Sequence, residues 1–354
     1  MKLTLASSFI PLVIAAPNPS SYSKRQSNTT LGLGELATKA GLKYFGTAVD
    51  NNGLNTKQYT DIAFDKREFN QVTPTNGQKW DATEPQPNAF DYTAGDQIID
   101  PSKAAGQLQR CHNFVWHQQL PSWLTGQTWS KQELTDIMEN HIKDAAQHYS
   151  DSCYAWDVVN EAFNDNGTFR SSIWSDTIGA PEYIELAFKF ARQYTPPDTK
   201  LYYNDFGMET VNNKTIAVQA LVKDFQQRDI PIDGVGLQAH FITGASPSYQ
   251  QIRDAQALYT SLGLETALTE LDVRTELPED AAKQATQAKN YADAVKACVD
   301  EDGCVGVTVW DFWDAVSWVP GTFPGTGNAT LFDVDFNKRP AYDSVAEVLK
   351  SAAK

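Results

Sequence analysis

Ala155-Trp156-Asp157-Val158-Val159-Asn160-Glu161 is a short apolar run that ends in an amide and a carboxylate. It is the fourth of eight apolar, β-rich runs, at 44–49, 69–73, 110–116, 155–160, 200–204, 234–239, 266–271 and 305–310. Several of the segments between them carry helical patterning. Residues 134–149 place apolar side chains at 134, 137, 138, 142, 145 and 149, and 184–194, 216–227, 249–262 and 281–299 behave similarly. Pro196-Pro197 and Pro231 fall just before runs, where helices should have stopped. Eight strand–helix units in one chain predict an α/β fold, a (β/α)8 barrel in a single domain. An open doubly wound sheet would want a glycine-rich phosphate turn after an early strand. Gly32-Leu33-Gly34 precedes the first run and lacks the third glycine.

At 354 residues and 41% hydrophobic, the chain can bury one large core. Its formal charge of −15 makes nucleic acid and an anionic membrane surface poor partners, since both would repel it. Met1-Lys2 followed by an apolar stretch to Ala16 reads as a secretory signal peptide, too short to span a bilayer. Residues 17–25 end in Lys24-Arg25, a dibasic processing site, and the barrel is expected over 26–354. No later segment is apolar for long enough to cross a membrane. In an oxidising compartment the four cysteines favour disulfides: Cys298 and Cys304, six apart, can close a small loop, leaving Cys111 with Cys153. Their spacings do not fit a zinc site. Sequons at Asn28, Asn166, Asn213 and Asn328 permit glycosylation.

A barrel of this kind carries its site at the C-terminal ends of its strands. There the fourth run ends in Asn160-Glu161 and the seventh in Thr269-Glu270-Leu271-Asp272. Two carboxylates facing each other across a barrel mouth suit glycoside hydrolysis, one protonating the leaving oxygen and the other facing the anomeric carbon. A lone glutamate at a strand end is more often a solvated rim charge; that reading is weaker for two placed across the ring. The third run adds His112, Trp116, His117 and Gln119, the sixth Gln238 and His240, the fifth Asn204 and Asp205, and the eighth Trp310 with Trp318 beyond. Asn76, Lys79 and Trp80 follow the second. Three of the five histidines fall at these ends, but the odd offset from His112 to His117 turns them to opposite faces of a straight strand, which argues against a shared metal. No metal or organic cofactor is expected.

The segments Trp156–Ala162 and Thr269–Val273 resemble the two signature segments of the family 10 glycoside hydrolases, best known for endo-1,4-β-xylanases. The likeness extends through Lys79–Pro85, His112–Pro121, Tyr202–Asp205, Gly236–His240 and Thr308–Trp310, nearly the whole mature chain. The two cysteine pairs and the dibasic site suggest the fungal branch. The resemblance implies Glu161 as general acid and base and Glu270 as nucleophile of a retaining mechanism. His240, with Asp272, would hold the nucleophile, and Asn160 would bond the 2-hydroxyl of the sugar being cleaved. Asn76, Lys79, His112, Trp116, Gln119, Gln238, Trp310 and Trp318 would bind substrate. The implied partner is plant cell-wall xylan or a plant glycoside, and the implied enzyme an extracellular monomer.

One position departs from the pattern. Thr75 stands where the xylanases carry a glutamate that bonds the 2- and 3-hydroxyls of the second glycone sugar. A smaller departure is Gly207, where asparagine is usual. Two substrates therefore stay open. One is xylan, with a weakened second subsite. The other is a glycone branched at that sugar, as in the tomatinases of the same family, which remove a branched tetrasaccharide from α-tomatine.

Overall fold

Residues 31–353 are described by the computed structural model, so the signal peptide, the dibasic site and Asn28 lie outside the described residues. Eight parallel strands close into a ring: β1 (Tyr44–Val49), β2 (Gln71–Pro74), β3 (Leu108–Val115), β4 (Cys153–Asn160), β5 (Lys200–Asp205), β6 (Gly234–Leu237), β8 (Glu265–Glu276) and β9 (Cys304–Val309). β9 pairs with both β8 and β1, which closes the barrel and leaves the ring without an edge. Two short strands lie outside it: β7 (His240–Ile242) pairs with the outer half of β8, and β10 (Thr326–Gly327) lies antiparallel to it.

The period-two alternation of a strand explains what faces inward. On β5, Leu201 and Tyr203 join the outer core beneath the helices, while Tyr202 turns in. Tyr202 packs with Tyr44, Ala155 and Ala267 toward the N-terminal ends of the strands. Above them lies a buried ion pair, Arg110 Nη2 to Asp157 Oδ1 at 2.5 Å, with the guanidinium 4.2 Å from the Tyr202 ring. Large interior side chains need room on neighbouring strands. A Cβ on Gly306 would come within 2.5 Å of the Tyr44 ring, and one on Gly236 within 2.3 Å of Asn204 Oδ1.

The five helices expected from periodicity are present, mostly a few residues longer at their starts. The helix expected from 134 spans Lys131–His148, because Ser130 accepts from the Glu133 N–H and Glu133 reaches back, a capping box one turn before the first apolar residue. Asn212 and Ser248 start Asn213–Gln227 and Tyr249–Thr260 in the same way. Helices at Leu33–Ala40, Thr93–Ala104 and Pro340–Ser351 were not legible as such. Thr93–Ala104 carries Pro101 inside it, a residue that ordinarily ends a helix. Gly32-Leu33-Gly34 is a helix start packed on the loop after residue 65, where a Cβ on Gly32 would meet the Arg67 carbonyl at 2.2 Å. Both cysteine pairs are bonded as expected, Cys111 with Cys153 and Cys298 with Cys304.

Two strand ends differ from expectation by more than one residue, and both matter for the site. The sixth run stops at Leu237 rather than 239, because Ala239 adopts φ 63° and the chain turns before β7. The seventh runs on to Glu276 rather than 271. β7 lies along this extension with His240 opposite Asp272.

Candidate active site

A cleft of about 930 Å³ opens at the C-terminal ends of the barrel strands. It brings together Asn76, Lys79, His112, Trp116, Gln119, Asn160, Glu161, Gln238, His240, Glu270, Trp310 and Trp318. Asp272, expected to hold the nucleophile with His240, sits just beneath that ring.

Glu161 follows β4 with φ 58°, a backbone conformation that costs a side-chain-bearing residue about 1–3 kcal/mol. The turn directs its carboxyl into the cleft instead of along the strand. There Trp116 Nε1 donates to Oε2 at 2.9 Å and Gln238 Nε2 to Oε1 at 3.0 Å, with Asn160 Nδ2 at 3.3 Å from the same oxygen. Arg170 holds the turn from behind, Nε donating to the Glu161 carbonyl at 3.0 Å.

Glu270 rises from β8. Asn204 Nδ2 donates to its Oε1 at 2.8 Å, and the same amide lies 2.9 Å from Asn160 Oδ1. Thr269 fixes that amide's orientation by donating to Asn204 Oδ1 at 2.6 Å. One amide thus ties the ends of β4, β5 and β8 together. On the other oxygen, His240 Nε2 stands at 3.2 Å, and its Nδ1 is 3.0 Å from Asp272 Oδ2. Trp318 Nε1 donates to that Asp272 oxygen at 2.7 Å.

The electrostatics follow from this chain of contacts. Burial pulls the His240 imidazole down, but Asp272 and then Glu270 outweigh it and push its pKa up to about 10. The ring is therefore an imidazolium near neutral pH and donates from both nitrogens. Burial likewise raises the Glu270 carboxyl, yet the His240 hydrogen bond and the charge of the neighbouring histidines hold it below the usual carboxylate range. Glu270 is an anion kept in a buried position by a fixed cation.

Lys79 is buried, and burial draws its ammonium below the ordinary lysine value against the pull of Glu270 and Glu161. It donates to Gln119 Oε1 at 2.7 Å and Asn76 Oδ1 at 3.0 Å and lies 4.9 Å from the Trp116 ring. His112 is oriented by Asp157, Nδ1 to Oδ2 at 3.0 Å, and meets the Trp310 ring edge-on at 5.4 Å. Thr75 lies buried with its hydroxyl on Asp50 Oδ2 at 2.9 Å, and Gly207 lines the cleft with φ 66°.

His117 does not join the cleft. It lines a small space behind Glu161 with Arg170, Trp174 and Tyr183, its Nδ1 buried without a partner. The strand-end position alone drew it into the expected constellation; the odd offset from His112 was the better guide. Asn204 was visible at a strand end, but nothing in its residue type announced that it would touch Glu270. Glu209 carried no signal at all. It is buried, and its Oε1 accepts from the Ala239 N–H at 2.7 Å, holding the turn that delivers His240. No group of three or more His, Cys, Asp or Glu among the described residues is arranged to hold a metal ion.

The sequons differ in exposure. Asn166 and Asn213 are exposed, whereas Asn328 is half-buried with its Nδ2 donating to Glu279 Oε2 at 2.9 Å.

Compared with known families, residues 32–348 match glycosyl hydrolase family 10. Endo-1,4-beta-xylanase 1 of Humicola insolens is 47% identical over 319 residues, 90% of this chain and 74% of that protein. Endo-1,4-beta-xylanase 2 of Aureobasidium pullulans is 41% identical over 359 residues, covering 99% of each. Among solved structures, the endo-1,4-beta-xylanase XylE of Penicillium canescens aligns with a TM-score of 0.87 at 43% identity, over 91% of this chain and 98% of that one. A xylanase from Bispora sp. MEY-1, solved with xylobiose, gives 0.87 at 40% identity over 90% and 99%.

Proposed function

Since this chain belongs to glycosyl hydrolase family 10 and is a glycoside hydrolase, we propose that it is an extracellular endo-1,4-β-xylanase that retains anomeric configuration. The observation that carries this reading is Glu270, ionised by its imidazolium partner, in one cleft with Glu161. Glu270 attacks the anomeric carbon while Glu161 gives its proton to the leaving glycosidic oxygen. A glycosyl ester on Glu270 results. Glu161, now a carboxylate, takes a proton from water, and that water displaces Glu270 with a second inversion. Such a pair stands about 5–5.5 Å apart, leaving no room for water between nucleophile and sugar.

The neighbours have roles in the same scheme. His240 and Asp272 keep Glu270 ionised and aimed. Asn160, fixed by Asn204, bonds the 2-hydroxyl of the reacting sugar. Asn76, Lys79, His112, Gln119 and Gln238 bond other glycone hydroxyls, and Trp116, Trp310 and Trp318 supply apolar walls for the sugar rings. The xylan assignment is supported by relatives named for that activity. The tomatinase alternative has no support among them. Two disulfides and the apolar, dibasic start support export, and no helix among the described residues is long and apolar enough to cross a membrane. We take the enzyme to act as a monomer.

The test is a product assay on unbranched xylan and, side by side, on α-tomatine, with Glu161→Ala as blank. Short xylo-oligosaccharides from xylan are expected. Release of an intact tetrasaccharide from α-tomatine with little action on xylan would overturn the substrate.

A further inference from the structure

Asp50, Thr75 and Asp311 line the same cleft as Lys79 and Asn76. Asp311 follows Trp310 at the mouth end of β9, and its backbone lies in the left-handed region at φ 62°. Aspartate tolerates this conformation better than most residues, but glycine alone adopts it freely. The residue is only 3% exposed. Strained backbone and a buried carboxyl both oppose folding. In return the fold gives Asp311 one side-chain hydrogen bond, from the Tyr59 hydroxyl to Oδ1 at 2.7 Å. Among the described residues Oδ2 has no partner, although the residue lines the cleft.

Asp50, the other carboxyl in the wall, is fully engaged. Its Oδ1 accepts from the Asn52 N–H at 2.8 Å, and its Oδ2 from Thr75 at 2.9 Å and Asn76 at 3.1 Å. Burial, helped by the charge of Asp50, pushes the Asp311 carboxyl well above the usual range. Its Oδ2 is open to a hydrogen bond from a sugar hydroxyl.

We propose that Asp311 is a specificity-determining residue of the glycone side, its Oδ2 bonding a hydroxyl of the second sugar from the cleaved bond. The position follows from the order of contacts. Lys79 is the cation that feels both glutamates, Asn76 is held by Lys79, Asp50 accepts from Asn76, and Asp311 is joined to Asp50 through the Tyr59 hydroxyl, which accepts from the Asp50 N–H at 2.9 Å and donates to Asp311. The inference rests on the xylanase reading and adds to it a carboxyl in the cleft wall that senses whether a second glycone sugar is present.

The experiment compares the native enzyme with Asp311→Gly, which relieves the backbone, and Asp311→Asn, which keeps a donor and an acceptor. Each is assayed on an aryl β-xylobioside and on an aryl β-xyloside, whose glycone lacks the second sugar. Asp311→Gly is expected to lose about ten-fold in kcat/KM on the bioside, carried by KM, and less than about two-fold on the xyloside. Asp311→Asn should stay within about three-fold of native on both. An equal loss on both substrates would make Asp311 merely structural and overturn the proposal, as would an undiminished bioside rate. If the native enzyme cleaves neither, the xylanase reading itself fails, and this inference falls with it.

Discussion

The most consequential atom pair in the molecule is His240 Nε2 and Glu270 Oε2, 3.2 Å apart. Removing the cation by His240→Gln leaves Glu270 buried without its counter-charge, so its pKa rises. The acid limb of the kcat/KM profile is expected to move to higher pH; an unmoved limb would show that Glu270 does not control it. Stability has two edges from the same pair. The raised His240 contributes fully below about pH 6.5 and is lost as pH rises through about 10. The depressed Glu270 contributes above its unfolded value and is lost as pH falls through its lower folded one. Thermal melts across pH should show both losses diminished in the Gln variant. Glu270→Gln itself should cost at least about a thousand-fold in kcat, with glycan binding largely kept. Both glutamates could be read from the sequence because each lies at the end of a recognisable apolar run. Glu209 and Asn204 could not be assigned roles, because their contacts depend on φ 63° at Ala239 and on a missing side chain at Gly236.

Elements position these residues by leaving space as much as by filling it. Gly236 on β6 lets Asn204 cross the barrel mouth to Glu270; an added Cβ would meet Asn204 Oδ1 at 2.3 Å and Thr269 Cγ2 at 2.8 Å. Gly236→Ala is therefore expected to lower kcat by about ten-fold or more, and xylan hydrolysis at the native rate would contradict the tie between Asn204 and Glu270. The disulfides act on the unfolded chain. Cys111–Cys153 closes 42 residues and Cys298–Cys304 only six. On loop entropy alone, losing the first should cost about 4 kcal/mol and losing the second about 2. Denaturant midpoints of the two double-serine variants check that order. Strand existence was legible because apolar β-rich runs are short and bounded. Their ends were less so: the turn at Ala239 and the long β8 are set by pairing between β7 and β8, which no local pattern records.

At the scale of the whole molecule, closure makes the site. β9 must return to β1 before Trp310 can face His112 across the cleft. Helix Pro340–Ser351 buries Ala341, Tyr342, Val345, Ala346 and Leu349 in the outer core. Ending the chain before Pro340 should expose this apolar face and abolish cooperative melting. Carbohydrate should be found at Asn166 or Asn213 and not at Asn328, whose amide nitrogen is already bonded; peptide mapping of the secreted protein decides it. The barrel was legible as a count of alternating units, while this last helix went unread because Pro340 opens it and resembles a stop signal until its place at the first helical position is known. The measurement that bears most directly on the mechanism is proton NMR of xylohexaose hydrolysis during its first minutes. Two displacements at one carbon require the new reducing end to appear as the β-anomer before mutarotation. Initial α-anomer would contradict attack by Glu270 and require a single displacement by water.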